Sequence, residues 1–113
     1  MEKINIYDHI EYSNEKVQIT PMLQTSFSKE IRIVFTKNQI MKDHKTPYPI
    51  TVEIFEGSID FGVGEKVYAL KKGDIVSLEG NIVHNLKANE DSIVRLTLSK
   101  NDSLFRVKSV LKL

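Results

Sequence analysis

His44 and His84 are two of the three histidines of this 113-residue chain, the residue type whose side chain can both bind a metal and exchange protons near neutral pH. Each stands beside a turn built from Gly, Pro or Asn: His44 before Thr46-Pro-Tyr48-Pro, His84 after Glu79-Gly-Asn81. A pair of imidazoles held together would offer two nitrogen ligands to a transition metal, or two polar contacts to a small molecule. Catalytic zinc usually has three protein ligands, and non-haem iron of the facial type has two His and a carboxylate. Three carboxylates lie near in sequence. Asp43 neighbours His44 on the opposite side of its strand and Glu53 has outward parity, which leaves Glu79, in the turn before His84, as the candidate third ligand. The plainer alternative is a pair of histidines satisfied by backbone, by Thr46 or by water. Tyr48, fixed between Pro47 and Pro49, places an aromatic ring where it could cap a ligand beside His44 or simply cover that end of the fold. His9 has no ligand-type neighbours and reads as a surface histidine.

The elements that must position these residues are short strands. Glu30 to Thr36 is a β-branched alternating run, and Gln39 to His44 is a shorter one that Pro47 and Pro49 interrupt, because proline cannot donate to a ladder. From Ile50 the period of two sends Ile50, Val52 and Ile54 inward and Thr51 and Glu53 outward. Ile59, Phe61 and Val63 follow the same rule, Gly64-Glu-Lys turns the chain, and Val67 to Leu70 returns. Ile75 to Leu78 is a further strand; Ile82, His84 and Leu86 share a face of the next; Val94, Leu96 and Leu98 share one of the last. Val17 to Thr20 predicts a strand stopped by Pro21, and Ile4 to Tyr12 fits a short strand or a helical turn. The tail from Asn101 fits a capped helical turn or an edge strand. So many short strands with regular turn signals indicate an all-β sandwich or barrel.

Composition narrows the function classes. A hydrophobic fraction of 41% with 27% charged residues is that of a globular chain. With a formal net charge of +1 and no basic block, nothing calls for nucleic acid or an acidic membrane as partner. The absence of cysteine removes thiolate ligands, thiol nucleophiles and disulfides. No apolar run resembles a secretion signal or a membrane span, so cytoplasmic residence is the expectation. There is no Gly-rich phosphate loop or nucleophile elbow, and Lys71-Lys72 belongs to a hairpin turn.

Two segments carry a resemblance to a known family. They are Asn38-Gln-Ile-Met-Lys-Asp-His44-Lys-Thr46-Pro-Tyr-Pro-Ile50-Thr-Val-Glu-Ile-Phe-Glu-Gly57 and Gly73-Asp-Ile-Val-Ser-Leu-Glu79-Gly-Asn81-Ile-Val-His84-Asn-Leu-Lys-Ala88. Together they resemble the cupin double motif, G-x5-H-x-H-x3-E-x6-G followed by G-x5-P-x-G-x2-H-x3-N, with His44, Gly57, Gly73 and His84 in register. Thr46 stands where the motif has its second His and Ile50 where it has Glu, so two of the four metal ligands of metal-bearing cupins are replaced. Asn38 replaces a Gly, a swap that Asn's access to the left-handed region permits. Glu79, Asn81 and Ala88 replace Pro, Gly and Asn.

The resemblance implies a cupin double-stranded β-helix, a jelly-roll barrel of RmlC-like type. One domain is expected over 1–113, its barrel core at about 31–98 and its N-terminal segment and C-terminal tail serving as edge or dimer elements. It further implies a small molecule in a mostly apolar barrel, touched by His44, Thr46, Tyr48, Ile50, Phe61, His84 and Leu86, with little or no metal-dependent catalysis. The alternative is a metal-dependent enzyme, a dioxygenase or isomerase of a small organic acid. It would hold Zn, Fe, Mn, Ni or Cu on His44 and His84, with a third ligand from substrate or from Glu79. A homodimer is expected, as is common for small proteins of this family.

Overall fold

A computed structural model describes residues 1–100; the tail from Asn101 lies outside the described residues. Its strands are β1 (Gln18–Gln24), β2 (Ser28–Phe35), β3 (Ile40–His44), β4 (Ile50–Glu56), β5 (Ser58–Val63), β6 (Lys66–Lys71), β7 (Ile75–Leu78), β8 (His84–Ala88) and β9 (Ser92–Ser99). They form two antiparallel sheets, one in the order β1-β2-β9-β4-β7 and the other β3-β8-β5-β6. This is the expected jelly roll. Among the described residues no helix is long and apolar enough to cross a membrane.

The period-2 pattern determines which side chains meet between the sheets. Ile33 and Phe35 of β2, Ile50, Val52 and Ile54 of β4, Ile59 and Phe61 of β5, Leu86 and Ala88 of β8 and Val94 of β9 form one buried cluster. Burying each large aliphatic or aromatic side chain contributes about 1.5 to 3 kcal/mol, so this alternation is the main force that closes the sheets on each other.

Every position at which the cupin motifs carry their turn glycines has a left-handed backbone. Gly57 and Gly73 have φ of 96° and 95°, and the two asparagines in glycine positions, Asn38 and Asn81, have φ of 76° and 64°. Asn tolerates this region better than other non-glycine residues, so the turns survive the substitutions.

Two expectations are corrected. β1 does not stop at Pro21 but runs through it, because β1 is an edge strand on which a missing N–H goes unneeded. The register shifts between Pro21 and Leu23, as expected where proline interrupts a ladder. Ile82 lies in the turn before β8 and is exposed rather than sharing the inward face of His84. Of the two readings open for Ile4 to Tyr12, a strand or a turn, the segment takes the turn. It makes a turn through Asn5 to Ile10 whose backbone is held on the outer face of the five-stranded sheet, where the Arg32 guanidinium donates to the carbonyls of Ile6 and Asp8. The Tyr7 hydroxyl donates to the Glu56 carboxylate in the same region.

Candidate functional site

β3 and β8 place His44 directly opposite His84. Parity alone would not bring Met41 and His44 to one face, since they are three residues apart. The register shift between them supplies the extra residue, and both side chains line the interior. The two imidazole rings lie 4.3 Å apart at 61°, and the Phe61 ring stacks on His84 at 5.6 Å and 12°.

Each ring is anchored in the same way. His44 Nδ1 lies 2.7 Å from the Lys42 carbonyl and His84 Nδ1 lies 2.8 Å from the Ile82 carbonyl. A carbonyl oxygen only accepts, so both Nδ1 atoms carry protons, and in the neutral rings both Nε2 atoms carry lone pairs. The histidines are thus satisfied by backbone and not by Thr46. The outcome is two nitrogen acceptors, fixed in tautomer and orientation, on an otherwise apolar wall.

Burial pushes the His84 pKa below the ordinary histidine value; the Ile82 carbonyl opposes this and a charge on His44 adds to it. Between the lowered value and about 6.5 the unfolded chain binds a proton at this residue that the folded chain does not, so stability falls as pH drops through that window. Urea midpoints measured at about pH 8 and pH 5 are therefore expected to fall on acidification, and to fall less in His84→Gln. An equal fall in both proteins would contradict this account of His84.

Two clasps hold the histidine-bearing strands in place, each joining β8 or the turn before it to residues more than thirty positions earlier in the sequence. The Asn81 N–H donates to the Thr46 carbonyl at 2.7 Å, and the Thr46 hydroxyl donates to the Tyr48 carbonyl at 2.9 Å. Gly80 packs so closely on this loop that a Cβ there would come within 2.3 Å of the Pro47 carbonyl oxygen. On the outer side of the sheet, Asn85 Nδ2 donates to Asp43 Oδ1 at 2.8 Å, tying β8 to β3 beside the pair.

Of the seven residues expected at a ligand, His44, Ile50, Phe61, His84 and Leu86 line one interior cavity, whereas Thr46 and Tyr48 lie outside it. Their side of the loop is engaged in the Asn81 clasp. The cavity holds about 30 Å³, the volume of roughly one water and too little for an organic molecule. Space for one exists on the far side of Phe61. There a cleft of about 250 Å³ opens between β5, β6 and β7, lined by Phe61, Val63, Tyr68, Val76, Ser77 and Leu78. Tyr68, Val76 and Ser77 were not legible as site residues, since each reads as an ordinary strand position.

The two imidazoles do not complete a metal site. Among the described residues no group of three or more His, Cys, Asp or Glu is placed to hold an ion. Ile50 fills the inward position where a carboxylate would be needed, Glu79 is exposed in its turn, and Glu53 faces Arg95 at 3.5 Å on the outer face.

Comparison with solved structures agrees with this architecture. An RmlC-like cupin protein from Desulfovibrio desulfuricans superposes with a TM-score of 0.80 at 17% identity, over 88% of this chain and 96% of the other. An uncharacterized protein with a double-stranded β-helix domain from Klebsiella pneumoniae gives 0.78 at 22% identity, over 89% and 92%. A cupin 2 barrel domain protein from Leptotrichia buccalis gives 0.73 at 26% identity, over 80% of this chain and 44% of the other. No protein-family model and no curated protein matches the sequence. The chain has the cupin fold. In particular it has the RmlC-like double-stranded β-helix, with two histidines facing each other across β3 and β8.

Proposed function

We propose that this protein binds a small, partly apolar molecule without a metal. The body of the ligand occupies the cleft over Phe61, and a hydrogen-bond donor on it reaches the Nε2 atoms of His44 and His84 once the Phe61 ring turns aside. The observation that supports this most directly is the matched anchoring of both Nδ1 atoms, which turns the pair into two acceptors within an apolar wall. Pockets of this make-up, apolar with a few converging polar groups, are the usual form of a small-molecule site. Residence in the cytoplasm and assembly as a homodimer belong to the same proposal. Exposed Ile19 on edge strand β1 and Ile40 on edge strand β3 are apolar side chains that a second copy would cover.

Phenol and anisole form a matched pair for the test, being similar in shape and differing in one donor. In NMR titrations phenol is expected to shift the signals of Phe61, Tyr68 and His84 saturably, and anisole to bind roughly tenfold more weakly, as follows when a buried acceptor is left unpaired. Equal binding of the two, or shifts that spare the histidines, would overturn the proposal.

Metal-dependent catalysis at the same pair is the second reading. In its favour are the bonds from both Nδ1 atoms to carbonyls, the way metal-ligating imidazoles are oriented. Against it stands the ligand count, since a third donor would have to come from substrate or from a displaced Glu79.

A further inference from the structure

The outer face of the five-stranded sheet carries a second candidate site, independent of the barrel. Residues Met1 to Ile6 lie across this face and leave a groove of about 680 Å³ between themselves and β1, β2, β4 and β9. Its walls are largely apolar, with Ile4, Ile6, Met22, Leu23 and Phe55 among them, and Arg32 is set into them. Arg32 pairs with Arg95 across β2 and β9, which places it on the outward side of the sheet, yet it is only 4% exposed.

The surroundings of this guanidinium are incomplete. Its Nη1 donates to the carbonyls of Ile6 and Asp8 at 2.8 and 2.7 Å, while Nε is buried with no acceptor. Among the described residues no carboxylate pairs with it; the two ion pairs of the region, Glu30 at 3.2 Å and Glu53 at 3.5 Å, both belong to Arg95. A guanidinium cannot shed its proton, so an unpaired buried one cannot relieve its cost by becoming neutral. Removing one partner from a buried pair is strongly unfavourable for the same reason. An anion in the groove would supply what is missing, and the Nε–Nη2 edge has the fork geometry that carboxylates fit.

We propose that this groove binds a small amphipathic monocarboxylic acid, with its carboxylate on the free edge of Arg32 and its hydrocarbon body along Met22, Leu23 and Phe55. The charged side chains lining the groove balance, Glu2, Glu30 and Glu53 against Lys3, Arg32 and Arg95, so a bound anion adds its whole charge and a single carboxylate is the smallest addition. Glu30 and Glu53, although engaged by Arg95, disfavour a dianion such as phosphate. Nε is buried, so a ligand reaches it only if groove side chains move, and Met1 and Ile4 are the exposed apolar ones among them.

Sodium octanoate is the probe, and 1-octanol, which has a similar chain without the charge, is the control. Octanoate titrated into the full chain is expected to shift the Arg32 Nε–H resonance and the amides of Met22, Leu23 and Phe55 saturably, with octanol about tenfold weaker or worse. Arg32→Gln is expected to weaken octanoate binding by about tenfold or more. Because Arg32 also anchors the N-terminal segment, Met22→Glu provides a second variant that leaves the guanidinium in place and is expected to weaken binding comparably. Octanol binding as well as octanoate, no saturable shift, or shifts centred on His44 and His84 would each overturn the proposal. So would an Arg32 resonance that responds to protein dilution and not to octanoate, which would make a second copy of this chain the occupant.

Discussion

Phe61→Ala is expected to lower stability by about 3 to 5 kcal/mol, the range for removing a buried aromatic ring. Phe61 is 2% exposed, stacks on His84 and pairs with Tyr68 on one neighbouring strand and Leu86 on the other, so there is little room for its surroundings to collapse. In urea the midpoint should fall with the slope unchanged, and the melting temperature should fall by about 15 °C or more for a chain of this size. A second consequence separates Phe61 from an ordinary core residue. Burial is the largest cause of the lowered His84 pKa, so opening the wall between the interior cavity and the cleft should let that pKa rise toward the ordinary histidine value. A loss below about 1 kcal/mol would show that the ring is not packed as described. A His84 titration unchanged in the variant would show that Phe61 is not what keeps water from the pair.

Gly57→Ala has the next largest expected effect, and its causes are different. Gly57 has a φ of 96°, and a Cβ built on it would sit 2.1 Å from Ser92 Oγ and 2.6 Å from the Asp91 carbonyl oxygen. Neither atom can easily move. Ser92 is fully buried, accepts from the Ser58 N–H at 3.1 Å and donates to the Glu90 carbonyl at 2.7 Å, so displacing it leaves buried groups unpaired. The backbone cost of about 1 to 2 kcal/mol and a lost buried hydrogen bond of about 1 to 3 kcal/mol together give an expected loss of about 3 kcal/mol. Gly64→Ala isolates the first part, since Gly64 also has a positive φ, 63°, but nothing lies within 4 Å of its added Cβ. It should cost about 1 kcal/mol. Equal losses in the two variants would mean that the contact with Ser92 is not what requires glycine at Gly57.

Much of the barrel was legible because alternation fixes which face is buried. Ile50, Val52 and Ile54 could be placed inward from spacing alone, and Asn38 was readable as a glycine substitute because few other residues enter the left-handed region. What escaped the sequence were features made by contacts distant along the chain. Nothing local announces that the outward Arg32 becomes buried, since that depends on the N-terminal segment lying over β2. The inward aim of Met41 together with His44 depends on a register shift, which a count of residues in β3 does not reveal. Motif position and a rigid proline loop point Thr46 and Tyr48 at the ligand, but the Thr46 carbonyl is drawn to Asn81, the Tyr48 carbonyl to the Thr46 hydroxyl, and both residues lie outside the cavity lining. The volume of the interior was equally hidden, because a list of inward residues does not say how completely they fill the space between the sheets.

His44 and His84 are proposed here as a pair of hydrogen-bond acceptors for a small molecule and not as metal ligands. Elemental analysis by inductively coupled plasma mass spectrometry tests it most directly, on dialysed wild-type protein and on the His44→Ala, His84→Ala double variant. Iron, manganese, nickel, zinc and copper are each expected well below one equivalent per chain, with no change in the variant. Near one equivalent of any of them, lost in the double variant, would contradict this and make the pair a metal centre whose third donor comes from substrate or from a displaced Glu79.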